Sequence, residues 1–193
     1  MTRLRISVAF VALVLLGTPW ADATAQTTPS EAEFIQQQAE QGDAEAQFHL
    51  GLRYSFGYEL PQNDVEAAVW YRKAADQGHA VAQFHLGYMY DFGQGVSQDD
   101  TQAMAWYSRA ADQGHISAQA NLAVMYVTGQ GVPQNYVESY KWRSVAVSRA
   151  VGEAKGTLVE ALDSVAQLMT PEQTTEAQRL AREWQAAFDA RQE

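Results

Sequence analysis

The 193-residue sequence predicts an all-α fold, a solenoid of stacked helix–turn–helix repeats, and three observations carry that prediction. The first is a period. Slid back by 36 residues, the stretch Ala80–His115 falls on Ala44–His79 with 21 of the 36 positions identical. Slid forward onto Ile116–Val151, it keeps Gly129, Gly131, Trp142 and Ala146 in register. The second observation is that small and apolar residues within each copy recur at i, i+4 and i+8, which is helical spacing. The third is the recurrence of glycine turns and helix-capping residues between those stretches. One such unit cannot bury its own apolar face, so successive units must stack.

Ahead of the repeats stands a segment that reads as a secretory leader. Arg3 and Arg5 precede an apolar run from Ile6 to Leu16, too short to span a bilayer as an ordinary helix, and Thr18 and Pro19 break it. Ala23, Thr24 and Ala25 place small residues at both cleavage-specifying positions, so residues 1–25 are expected to be a signal peptide. No cysteine follows to carry a lipid. The mature chain is therefore expected to be periplasmic or secreted, with no membrane insertion after cleavage. Composition narrows its partners. The chain has 13 Lys+Arg against 23 Asp+Glu, and loss of Arg3, Arg5 and Asp22 leaves a mature charge of −11. That balance argues against nucleic acid and against anionic lipid surfaces. With no cysteine, disulfides, thiolate–zinc sites and thiol nucleophiles are excluded together. Hydrophobic content of 47% is enough for packing alone to hold the fold.

Residues 26–43 read as a polar spacer and one helix. Ser30 and Glu33 form a capping-box pattern, and the helix Glu31–Gln41 stops at Gly42. Displaced by 36 residues it puts Phe34 under Trp70 and Ala39 under Ala75, so it is the second helix of a truncated repeat. Full repeats follow over 44–79, 80–115 and 116–151. Their first helices are expected over Ala44–Phe56, 80–92 and 116–128. The core faces hold Ala46, Leu50, Gly51 and Tyr54, then Ala82, Leu86, Gly87 and Tyr90, then Ala118, Leu122, Ala123 and Tyr126. A glycine in mid-helix costs about 1 kcal/mol against alanine, which implies a helix crossing too close for a side chain at Gly51 and Gly87, and slightly wider at Ala123. The turns carry Gly57, Gly93, Gly95, Gly129 and Gly131; Glu59 replaces the second glycine of the first copy, so that turn is expected to differ. Second helices start at the caps Asn63, Asp99 and Asn135. On them Trp70, Trp106 and Trp142 face the small Ala74, Ala110 and Ala146, so Trp70→Ala is expected to cost about 3–5 kcal/mol. Residues 152–193 read as capping helices, one near Glu153–Met169 and one opened by Thr170-Pro171-Glu172-Gln173. The last presents Ala177, Leu180, Ala181, Trp184 and Phe188 on one face.

The pattern A-x-A-x-x-x-L-G-x-x-Y-x-x-G-x-G-V, followed by A-x-x-W-Y-x-x-A-A-x-x-G-H, resembles the Sel1-like repeat family, relatives of tetratricopeptide repeats. The match is nearly complete in 80–115 and strong in 44–79; in 116–151 Arg143 replaces the tyrosine and the final Gly-His is missing. The resemblance implies a right-handed α/α superhelix that works as an adaptor in protein complexes, with no shared active site. By tetratricopeptide geometry one stripe of each first helix lines a concave groove. Its anchors would be Phe48, Leu52 and Phe56, then Phe84, Tyr88, Asp91 and Phe92, then Val124, holding a peptide or protein by its apolar residues. The alternative is that these aromatics only pack between neighbouring repeats.

Other chemistry is weaker. His49 and His85 occupy equivalent positions, but the third copy offers Asn121, and duplication explains the pair without a metal. His79 and His115 follow the glycine stops and are expected near helix C-termini, where a cation is favoured. Asp99, Asp100 and Glu66 serve better as caps and first-turn acids than as calcium ligands. None of G-x-S-x-G, S-x-x-K or H-E-x-x-H occurs, and no cofactor is implied. Three readings stand: a non-catalytic envelope adaptor; an envelope hydrolase or β-lactam-binding protein, like some cysteine-rich secreted relatives of the family; and a regulator binding peptidoglycan or polysaccharide fragments.

Overall fold

A computed structural model describes residues 31–193. The leader, the spacer and Ser30 with its capping box lie outside the described residues. Among those described, nine helices and no strand occur: α1 Glu31–Glu40, α2 Ala44–Phe56, α3 Asp64–Asp76, α4 Ala80–Phe92, α5 Asp100–Asp112, α6 Ile116–Thr128, α7 Tyr136–Arg149, α8 Glu153–Ala166 and α9 Pro171–Asp189. None of them is long and apolar enough to cross a membrane. From α1 to α7 each helix packs on the next in chain order, the arrangement of a solenoid. At the end of the stack α7 receives both α8 and α9.

The boundaries follow from local chemistry. Asn63 Oδ1 accepts from the Val65 and Glu66 amides, Asp99 Oδ1 from Gln102, and Asn135 Oδ1 from Glu138. Each replaces a hydrogen bond that a helix start leaves unmade. Helix α9 has the full reciprocal box, with Thr170 and Gln173 each satisfying the other's amide. Helix α7 stops at Arg149 instead of running on toward Gly152, and α8 stops at Ala166, three residues short of Met169.

The three tryptophans recur in matching apolar clusters, each shared with the leucine of its repeat's first helix. Trp70 lies with Leu50, Trp106 with Leu86 and Trp142 with Leu122. Their coverage differs. Trp106 and Trp142 are 5% and 6% exposed, whereas Trp70 is only partly buried, because no full repeat precedes it. For the same reason Phe34, at the equivalent place on α1, is 53% exposed. The expected cost of Trp70→Ala is accordingly reduced.

At the mid-helix glycines the neighbouring helix comes too close for a side chain, and what it brings there is a tyrosine ring. A Cβ on Gly51 would meet Cδ1 of Tyr71 at 2.6 Å, and one on Gly87 would meet Cδ1 of Tyr107 at 2.7 Å. The ring, from the second helix of the repeat, fills the space a side chain would need. In the third repeat both partners change together, to Ala123 and Arg143. The turn of repeat one also departs from expectation: Glu59 keeps the left-handed conformation, with φ of 59°. What glycine supplies at the matching sites is room. A Cβ on Gly95 would sit 2.1 Å from the carbonyl oxygen of Asp64, and one on Gly131 2.5 Å from that of Asp100. Each collision is with the preceding repeat; the position matching Asp64 and Asp100 ahead of Glu59 lies outside the described residues.

On α9 the predicted face is the one that docks. Ala177, Ala181 and Phe188 are buried, and Trp184 meets Trp142 edge-on with centroids 5.7 Å apart. The α9 face reaches back to the end of α5, where the Trp184 indole N–H donates to Asp112 at 3.4 Å.

Candidate interaction groove

The solenoid repeats one stripe of α2 on α4 and again on α6, and three clefts lie along that row. The first, about 470 Å³, is bordered by Ile35, Leu52, Arg53, Phe56 and Tyr58. The second, also about 470 Å³, lies between Phe56, Asp64, Tyr71, Phe84, His85 and Tyr88. The third, about 380 Å³, lies between Tyr88, Asp91, Phe92, Asn121 and Val124. Phe56 borders the first and second and Tyr88 the second and third, so the clefts form one row.

Of the residues expected there, Leu52, Phe56, Phe84, Tyr88, Asp91, Phe92 and Val124 line this row. Phe48 does not. It is 8% exposed, stacked on His79 at 4.7 Å between centroids and packed within 6 Å of Tyr71 and His85. At that junction the capping histidine of the next repeat covers the ring, so Phe48 belongs to the core. Phe84 is held in the same way by His115, at 4.6 Å, and shows one edge to the cleft. The surface open to a partner is therefore Phe56, Tyr88, Phe92 and Val124, exposed by 73, 38, 58 and 42%. Tyr88 and Phe92, one turn apart on α4, lie 4.5 Å apart and make a single plate.

Two carboxylates border these rings. Asp64 edges the second cleft and Asp91 the third. The Tyr107 hydroxyl donates to Asp91 Oδ2 at 3.3 Å, but partial burial outweighs that bond and raises the Asp91 pKa. Burial also pushes Tyr71, at the floor of the second cleft, up to about 12. His85 stacks on Tyr71 at 5.0 Å, and burial lowers its pKa to about 4, so the imidazole is neutral near pH 7. The groove thus offers ring faces, hydroxyls and two carboxylates.

The remaining histidines correct an expectation. His79 and His115 cap the N-termini of α4 and α6, accepting at Nδ1 from the Ala82 and Ala118 amides at 3.1 and 3.2 Å. That bond needs an unprotonated Nδ1, the opposite of a cation at a C-terminus. Nε2 of His79 lies 3.0 Å from the Glu45 carboxylate, which selects the tautomer with Nε2 protonated. His49 is exposed and pairs with Glu45 at 3.1 Å, so it diverges from His85. Among the described residues no group of three or more His, Asp or Glu gathers as a metal site.

One structural element was visible in the sequence but not singled out. Gln47, Gln83 and Gln119 are identical in all three copies and buried. Their amides donate to the carbonyls of Ala39, Ala75 and Ala111 at 3.0, 3.0 and 3.1 Å, tying each first helix to the preceding second helix. Gln77 and Gln113 then donate to the oxygens of Gln47 and Gln83 at 2.8 and 2.7 Å. A buried amide recurring at a fixed period among alanines is the signal that would have found the ladder.

The sequence profile of the Sel1 repeat matches residues 44–79, 80–115 and 116–142. Among solved structures, a protective antigen of uropathogenic Escherichia coli strains displaying an SLR fold superposes with a TM-score of 0.71 at 32% identity. That alignment covers 83% of this chain and 35% of the antigen, so the chain spans about a third of that protein's length. A Sel1 repeat protein from Oxalobacter formigenes superposes with a TM-score of 0.59 at 40% identity, over 66% of this chain and 96% of the other. No curated protein matches significantly.

Proposed function

The chain belongs to the Sel1 repeat family, whose members generally mediate protein–protein contacts, and from that premise we propose that it is a non-catalytic adaptor of the bacterial cell envelope. It holds a peptide or a segment of a protein partner in the row of clefts along α2, α4 and α6. The observation carrying this reading is the exposed plate of Tyr88 and Phe92, continuous through the clefts with Phe56 and Val124. Apolar rings left open in a connected row favour an interaction site over a solvated face. The leader-like residues 1–25 support the envelope location.

Phe84 is unsuitable as a probe, because its stacking on His115 and Tyr107 ties it to the fold. The double variant Tyr88→Ala, Phe92→Ala leaves the core untouched. In a crosslinking pull-down from the cell envelope it is expected to lose the partner while its helical circular dichroism is unchanged. Capture at the wild-type level would refute the groove. Export has its own test: the periplasmic fraction should contain a form beginning near Gln26, and a full-length cytosolic product would exclude that location.

A further inference from the structure

The row of clefts is polarised. Asp64 and Asp91 are its acids in the second and third clefts, and neither Lys nor Arg lines either one. In the first cleft Arg53 is engaged by Glu59 and lies 3.5 Å from Glu31, so its charge is neutralised within the fold. Among the described residues no ion pair involves Asp64 or Asp91. Cations gather instead on the second helices. Lys73 lies over the Trp70 ring at 3.5 Å, Arg109 over Trp106 at 4.3 Å and Lys141 over Trp142 at 4.4 Å. In the second and third clefts a carboxylate therefore borders the open aromatics with no base beside it.

A purely apolar ligand laid on this row would strip water from Asp64 and Asp91 and return nothing to them, and an acidic ligand would add repulsion. A ligand carrying its own cations meets both needs. Resting on the groove reading above, we propose that the occupant is a basic amphipathic segment: two apolar side chains enter the second and third clefts, and adjacent Lys or Arg residues meet Asp64 and Asp91. Seven residues of an α-helix, about 10.5 Å, set two side chains on one face, and the segment proposed carries its anchors at i and i+7, with the cations one turn away.

Three fluorescein-labelled helical peptides test this by anisotropy with the full chain. They share Phe at i and Leu at i+7 and carry Lys, Gln or Glu at the flanking positions. At low salt the Lys peptide is expected to bind roughly tenfold tighter than the Gln peptide and the Glu peptide weakest, with the gap closing near ~0.5 M salt. Asp64→Asn with Asp91→Asn should erase the Lys preference, bringing the Lys and Gln peptides to the same affinity, and Asp91→Glu should retain it. Equal binding of all three peptides, each weakened by Tyr88→Ala, overturns the charge inference and leaves the groove standing. A Lys preference that survives the double Asn variant assigns the effect to overall net charge and overturns it too. If no peptide binds while an envelope partner is still captured through Tyr88 and Phe92, the proposed occupant is wrong. Capture indifferent to those residues brings down the groove itself.

Discussion

Gly87→Ala should destabilise the protein even though it removes a glycine from a helix. Helix propensity alone favours the change by about 1 kcal/mol. Against it, the new Cβ would lie 2.7 Å from Cδ1 and 2.9 Å from Cε1 of Tyr107. That ring cannot step aside: it is fully buried, and its hydroxyl is bonded to Asp91 at 3.3 Å. Overpacking of this kind typically costs about 1–3 kcal/mol. The net loss is therefore about 1 kcal/mol, with the clash outweighing propensity. In a Tyr107→Ala background Cγ, Cδ1 and Cε1 are all gone, and the same glycine change should now stabilise by about 1 kcal/mol. The coupling between the two sites is thus about 2 kcal/mol, within the range for residues in direct contact. The third repeat supplies the internal control. Ala123 faces no tyrosine there, since Arg143 replaces it, so Ala123→Gly should simply lose about 1 kcal/mol. Urea unfolding followed by far-ultraviolet circular dichroism reads all four variants as shifts in midpoint at constant slope. A Gly87→Ala protein more stable than wild type, or one shifted equally with and without Tyr107, would refute the steric account.

Three further outcomes are expected. Trp106→Ala should cost about 3–5 kcal/mol and Trp70→Ala clearly less, about 1–3 kcal/mol, because only the former ring is enclosed by repeats on both sides; paired thermal melts rank them, and equal losses would contradict the end-of-stack explanation. Gln83→Ala should cost about 1–3 kcal/mol by removing two hydrogen bonds, one to the Ala75 carbonyl, which keeps the Gly78 amide, and one from Gln113, against under about 0.5 kcal/mol for an exposed glutamine such as Gln36 in the same melts. The third concerns pH. His85 has a folded pKa of about 4 against an ordinary 6.5, so the unfolded chain binds its proton first as pH falls. Its contribution is complete above pH 6.5 and lost between 6.5 and 4, on the order of 2 kcal/mol after allowing for the part of the ring that solvent reaches. The urea midpoint of wild type should fall between pH 7.5 and pH 4.5 by more than that of His85→Gln. An identical fall in the two proteins would show that this ring does not carry the effect.

Periodicity alone determined the architecture. A 36-residue repeat with helical spacing, glycine stops and capping residues at matched positions leaves a chain no way to hide its apolar faces except by stacking copies, and the element ends are set locally by single hydrogen bonds such as that of Asn135. Most of the groove row was legible for the same reason, since a stripe found on one first helix recurs on the next two. What the repeat pattern does not contain is the identity of the neighbour. Phe48 and Phe56 are equally aromatic on one helix, yet one is covered by the histidine that ends its repeat and the other is not. His79 and His115 look like C-terminal residues when read along the chain and serve the next helix as N-caps, because each repeat hands its last residue to its successor. Glycine at 51 and 87 answers to a tyrosine ring twenty residues on, and glycine at 95 and 131 to a carbonyl of the preceding repeat. Those are contacts between elements, distances of a few ångströms that depend on how helices cross, and only the assembled stack decides them.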